Sequence, residues 1–178
     1  MNETHSIIRP PLDDAAVLAL RAGDRARITG VIYTARDAAH ARMAEAFRSG
    51  RSLPFDPSGR IIFYAGPTPA PPGRQIGSIG PTTASRMDSL TPLMLSHGVK
   101  GLIGKGSRSA EVVSALKEFK AVYFLAVGGV AALLSRCVRS ARCLAYPELG
   151  PEAVWELDVA EFPVIVGCDA VGGDIFRR

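Results

Sequence analysis

The chain has 178 residues, of which 47% are hydrophobic and 21% charged, a balance that allows one substantial core and excludes a disordered or fibrous protein. Its formal charge of +4 favours anionic partners, yet the arginines and lysines stand singly, with no like-charge block and no aromatic interleaving, so a small anion is expected rather than nucleic acid. The longest uncharged apolar stretch, Ala121 to Leu134, falls short of the ~20 residues that cross a bilayer, and Met1 to His5 lacks the pattern of a secretory leader; a cytoplasmic protein with no membrane partner is expected.

Residues 1–10 read as a loose tail of a single domain spanning 1–178. Asp13-Asp14 lead into a short apolar-periodic segment, Ala15 to Leu20, closed by Gly23. Ala26 to Tyr33 mixes β-branched and aromatic residues as a strand does, and Thr34 is placed to cap the helix that follows. In that helix Ala39, Met43, Ala46 and Phe47 recur at helical spacing until Gly50. Arg36, Asp37 and His40 therefore sit at a strand-to-helix junction. A Pro-bearing loop from Ser52 to Gly59 precedes the strand Ile61 to Ala65, and a second Pro-rich loop runs from Gly66 to Gly73.

After a short element, Ile76 to Ile79, the hydroxyls of Thr82 and Thr83 can cap the next helix, and Thr91-Pro92 reads as the start of another that stops at Gly98. His97 falls at its C-terminal end, where it can meet the helix dipole. Val99 to Ile103 is a strand, followed by the loop Gly104-Lys105-Gly106-Ser107 and a helix whose Val112, Leu116 and Phe119 form an apolar face. Ala121 to Val127 is a fully apolar strand and Val130 to Leu134 a small-residue helix. Strands are expected over Arg142 to Tyr146, Val154 to Val159 and Val164 to Cys168. Strands alternating with helices, then a run of strands, predict an α/β domain with a mixed central sheet and flanking helices.

Three segments share a cationic side chain at a glycine- or hydroxyl-rich junction: Thr34-Ala35-Arg36-Asp37, Pro81-Thr82-Thr83-Ala84-Ser85-Arg86 and Gly104-Lys105-Gly106. Free backbone N–H groups and cations together bind anions, and a dicarboxylate needs two such clamps. A Thr hydroxyl between them can reach the reacting carbon's proton, although an isolated hydroxyl is a poor base without a neighbouring charge or metal. Each group also has a plainer reading: the arginines can pair with Asp37 or Asp88, the threonines can be simple caps, and His40 can orient a neighbour or lie at the surface. A nucleotide-binding phosphate loop is rejected, because Val99 stands where the first glycine belongs and Gly106 replaces the metal-binding hydroxyl residue. Cys137, Cys143 and Cys168 show no paired spacing and are read as reduced core residues, with no metal held by this chain.

Taken in order, Thr34 to His40, Ala65-Gly66-Pro67, Gly80 to Asp88, Gly104-Lys105-Gly106, Ala126-Val127-Gly128-Gly129 and Glu148 to Ala153 resemble the C-terminal domain or separate β subunit of class I fumarases and L-tartrate dehydratases, over about Asp24 to Phe176. The resemblance implies a swivelling β/β/α domain and an iron-sulfur hydro-lyase that reversibly hydrates fumarate or a related C4 dicarboxylate, tartrate or mesaconate. It implies a partner α subunit carrying a four-iron four-sulfur cluster, and a hetero-oligomer inactive without that partner. Carried over by motif, Arg36, Arg86 and Lys105 hold the substrate carboxylates, Thr82 is the candidate for proton transfer at carbon, and Thr83 adds a hydrogen bond. Asp37, His40 and Arg108 are supporting candidates, Arg108 being either a further anion contact or a surface residue. Ser85 stands where relatives often have glycine, and Ser107-Arg108-Ser109 is more polar than usual, so the choice of dicarboxylate stays open. The rival readings are a non-catalytic dicarboxylate-binding or regulatory module and, last, an aconitase-like dehydratase.

Overall fold

The computed structural model describes residues 6–126 and 129–177. Seven strands form one mixed sheet: β1 (Ser6–Ile8), β2 (Arg25–Thr34), β3 (Ile61–Phe63), β4 (Gly101–Gly104), β5 (Val122–Leu125), β6 (Val138–Ala145) and β7 (Val154–Cys168). Their order is β1-β2-β3-β4-β5-β7-β6, and β2 also pairs with β7. That extra pairing joins β2, β3, β4, β5 and β7 into a closed five-stranded barrel. The first four of these run parallel, and β7 runs antiparallel to both of its barrel neighbours, β2 and β5. The expected mixed sheet with flanking helices is present; closure is the feature that strand patterns alone do not reveal, since it depends on long β7 reaching both β5 and β2.

Alternation along each strand separates two cores, as a period of two requires. Ile28, Ile32, Ile61, Phe63, Ile103, Val122, Phe124 and Leu157 belong to one apolar cluster. Their neighbours Ile62, Tyr64, Leu102 and Tyr123 belong to the other, where they meet helix residues Met43, Met94, Leu95, Val112 and Leu116. Those residues come from α2 (Asp37–Arg48), α3 (Thr91–Ser96) and α4 (Ala110–Glu118). Two shorter helices, α1 (Asp14–Leu18) and α5 (Ala131–Leu134), complete the set. No helix of the described residues is long and apolar enough to cross a membrane.

Several local expectations are corrected. The tail expected over 1–10 is in part ordered, because Ser6–Ile8 pairs in parallel with Ala26–Ile28 of β2. Thr34 is not a helix cap: it lies in β2, and its Oγ1 accepts the Trp155 N–H at 3.2 Å. Arg36 takes the N-cap position of α2 instead, with no cap from its own side chain. Leu90 is the N-cap of α3, which moves Thr91 inside the helix. Thr83 precedes only a 3-10 turn, Ala84–Met87, and does not cap it through its hydroxyl. The two strands expected over 154–159 and 164–168 are one, bent where Glu161 takes a positive φ of 52° and where Pro163 pairs opposite Arg27. Of the three free cysteines only Cys168 is buried; Cys143 is exposed on β6. His97 is as expected, capping α3 with its Nδ1 at 2.9 Å from the Leu93 carbonyl oxygen.

Candidate functional site

Parallel strands bring their C-terminal ends to one rim, and in such sheets ligands bind beyond those ends. Beyond β2 come Arg36 and Asp37; beyond β3, Tyr64; beyond β4, Lys105. The ends of β3 and β4 do not pair beyond Tyr64. Thr82-Thr83 slots between them, Thr82 donating its N–H to the Tyr64 carbonyl at 2.6 Å and accepting the Lys105 N–H at 3.2 Å. Ala84 then donates to the Lys105 carbonyl at 2.9 Å, and Thr83 and Lys105 form a parallel bridge. Gly104 has no space for a side chain here: a Cβ would lie 3.0 Å from both Ala84 Cβ and Tyr64 Cδ2. The glycine in Gly104-Lys105-Gly106 is thus explained by the close approach of the threonine segment.

The cations meet at this rim. Arg86 Nε donates to Asp37 Oδ1 at 2.9 Å, and Arg36 Nε faces Asp37 Oδ2 at 3.4 Å. One carboxylate therefore holds both guanidiniums close together. Arg36 Nη2 also pairs with Glu152 Oε1 at 3.0 Å. Lys105 is exposed, and its ammonium has no carboxylate partner among the described residues. Thr82 is half-buried and Thr83 exposed. The rim thus carries three cationic residues, two carboxylates and two threonines, groups that can take an anion with more than one charged end.

Arg108 is not a surface residue: it is only 3% exposed, behind the rim. Its Nε donates to Asp88 Oδ1 at 2.8 Å and its Nη2 to Thr91 Oγ1 at 2.7 Å, with Nη1 3.4 Å from the Tyr64 hydroxyl. The guanidinium lies over the rings of Tyr123 and Tyr64, at 4.9 and 5.3 Å from their centroids. Burial alone would push its pKa down, but Tyr64 and Asp88 hold it above the ordinary value. Ser109 caps α4, and its own N–H donates to Asp88 Oδ2 at 2.8 Å, so Asp88 ties the Arg86 turn to the loop after Lys105. The Tyr123 hydroxyl donates to the Gly106 carbonyl at 2.9 Å and fixes the same loop.

His40 is fully buried on α2, its Nδ1 3.3 Å from the Arg36 carbonyl and its ring edge-on to Tyr64. Desolvation drives its pKa down to about 4, so it is neutral near pH 7. Asp88, Tyr64, Thr91, Tyr123 and Glu152 carry this rim together with the expected residues. Their roles are spatial; the sequence points only to Asp88, at the end of the Gly80 to Asp88 string, and to Glu152, within Glu148 to Ala153.

Among the described residues no group of three or more His, Cys, Asp or Glu side chains could hold a metal ion. The cysteines do not converge: Cys143 pairs opposite Trp155 at one end of β7, and Cys168 ends that strand at the other. The three cysteines are therefore not gathered as the ligands of one cluster would be. A separate apolar depression of about 400 Å³ lies beside Pro147, Pro151 and Trp155, and none of the rim cations lines it.

The family model described as "Fumarase C-terminus" matches residues 6–178. The chain belongs to the fumarase C-terminal family. An anaerobic class I fumarate hydratase of Escherichia coli is 41% identical over 156 residues, covering 86% of this chain and 28% of that protein. Fumarate hydratase 2 of Leishmania major is likewise 41% identical over 158 residues, 88% of this chain and 28% of the relative. The chain thus spans little more than a quarter of these fumarate hydratases. By contrast, a putative L(+)-tartrate dehydratase subunit beta of Methanocaldococcus jannaschii is 39% identical over 168 residues, covering 91% of this chain and 86% of its own length. The chain thus matches most of the length of that beta-subunit relative. The Ala126 to Gly129 string of the resemblance falls partly on residues 127–128, outside the described residues.

Proposed function

We propose that this chain is the β subunit of an iron-sulfur hydro-lyase that reversibly adds water to, or removes it from, a C4 dicarboxylate, with hydration of fumarate the first candidate and dehydration of tartrate and hydration of mesaconate the others. The observation that carries this reading is the rim itself, where Arg36 and Arg86 share Asp37 while Thr82-Thr83 is threaded against Lys105. Likeness to a relative named as a β subunit over 86% of its length supports the division of labour.

In this reading Arg36, Arg86 and Lys105 clamp the two carboxylates, each charge-assisted bond contributing about 1.5 to 3 kcal/mol. Hydration places hydroxyl on one carbon and a proton on the other, and dehydration reverses both. Thr82 handles the carbon-bound proton, and Thr83 adds a hydrogen bond. A threonine hydroxyl is a weak acid and base, and the neighbouring cations lower the cost of its alkoxide form. The four-iron four-sulfur cluster belongs to the partner α subunit. The domain is of the swivelling β/β/α type, its cationic rim covers the substrate that the partner presents, and the active species is a hetero-oligomer.

Anaerobic co-expression with a cluster-bearing α subunit, followed by assays with fumarate, tartrate and mesaconate, tests this. The expected result is turnover of one of them by the complex and none by the purified chain. Full turnover by the chain alone would refute the proposal.

A further inference from the structure

The string Glu148 to Ala153 has no role in the chemistry above, yet it delivers Glu152 to the rim. One carboxylate there does two things. Its Oε1 takes Arg36 Nη2 at 3.0 Å, and its Oε2 accepts the Ala38 N–H at 3.0 Å, one of the free donors at the start of α2. Arg36, the N-cap residue, offers no cap from its own side chain. Glu152 supplies that cap from 114 residues further along the chain.

Glu152 is itself held in place. A side chain on Gly66 would run into the carbonyl of Pro151, so Gly66 lets the segment pack tightly. On the other side, Thr34 Oγ1 lies 3.5 Å from the Ala153 carbonyl and accepts the Trp155 N–H at 3.2 Å, fastening the segment to the end of β2. The carboxylate is partly shielded, with its side chain 27% exposed, as is that of Arg36 at 26%.

We propose that Glu152 is a positioning residue that aims the Arg36 guanidinium at the substrate carboxylate; this deepens the functional reading above and rests on it. With Nη2 held by Glu152, and Nε facing Asp37 without a hydrogen bond, Arg36 keeps one edge for a ligand. Without Glu152, its one remaining carboxylate partner among the described residues is Asp37, already bonded to Arg86. Arg36 then turns toward Arg86, and the spacing of the two clamps changes. A misplaced clamp weakens binding of the dicarboxylate more than it slows the proton transfer.

A double-mutant cycle on the holoenzyme complex tests this, using Glu152→Ala, Glu152→Gln, Arg36→Ala and the pairs. Glu152→Ala is expected to lower kcat/KM by about tenfold or more, mainly through KM. In the Arg36→Ala background it is expected to change little. Equal losses in both backgrounds, or no loss in either, would overturn the proposal.

An activity-free readout separates this inference from the functional reading. In the full chain, the Arg36 side-chain NH resonances, assigned by their loss in Arg36→Lys, should show hindered guanidinium rotation. That hindrance should vanish in Glu152→Gln if the Glu152 anion holds the group. Free rotation in the parent chain, or unchanged hindrance in the variant, overturns the inference even if the complex is inactive. A complex that turns over no dicarboxylate while the resonances behave as expected counts against the hydro-lyase reading only.

Discussion

Arg108 donates from Nε to Asp88 at 2.8 Å, joining the loop that follows Lys105 to the turn that carries Arg86. The pair is buried on the Arg108 side and only 16% exposed on the Asp88 side. Removing one partner of such a pair strands the other charge, which costs about 3 to 5 kcal/mol. Arg108→Ala should therefore lower unfolding free energy by that amount in urea titrations. Arg108→Lys should recover little of it, because one ammonium cannot reach Asp88, Thr91 and the Tyr64 hydroxyl together. A loss below about 1 kcal/mol would put the pair among ordinary surface ion pairs.

His40 gives the protein a defined pH response. Its folded pKa is about 4 against an ordinary 6.5, chiefly because burial disfavours the cation. As pH falls below 6.5 the unfolded chain takes up a proton that the folded chain refuses until pH 4. The unfolded state then binds more protons, so stability decreases across that window, by on the order of 3 kcal/mol in all, and is fully present above it. Carboxylates titrate in the same range, so the check is a difference. Unfolding free energy measured against pH should fall less steeply between 6.5 and 4 in His40→Gln than in the parent, and parallel curves would show that His40 is not the source.

Gly104 marks where the threonine segment meets the barrel. A methyl group there would stand 3.0 Å from Ala84 Cβ and Tyr64 Cδ2, too close for carbon atoms without movement. Gly104→Ala should cost about 1 to 3 kcal/mol of stability through overpacking. It should also impair the complex's turnover, because the yielding neighbour is the segment bearing Thr82. By comparison Gly23→Ala, with open space around its Cβ, should spare turnover while losing stability through its positive φ of 97°. Thermal denaturation and rate assays on both variants provide the comparison, and equal turnover would sink the argument.

How much of this was legible in the residues follows from whether the signal is local. The junction at Arg36, the buried strand at Ile61 and the loop at Lys105 are all local patterns, and each appears where its spacing puts it. Barrel closure is not local: it needs β7 to pair with β2 across more than a hundred residues, and Pro163 and Glu161 disguise that strand as two. Thr34 looked like a cap because its type and position suit one, but tertiary pairing with Trp155 claimed its hydroxyl. Arg108 follows a glycine-rich loop and reads as either a further anion contact or a surface residue. Nothing near it in sequence announces Asp88, Thr91 and the two tyrosine rings that enclose it.

The proposed function requires that this polypeptide's cations grip a dicarboxylate that a partner's cluster also engages. Its most direct test is the kcat/KM of the reconstituted complex after Lys105→Ala or Arg86→Ala, at equal iron and sulfide content. Loss of one charge-assisted contact, about 1.5 to 3 kcal/mol, predicts a decrease of roughly tenfold to a hundredfold or more in each variant. Parent-like values in both, with the cluster intact, would contradict it.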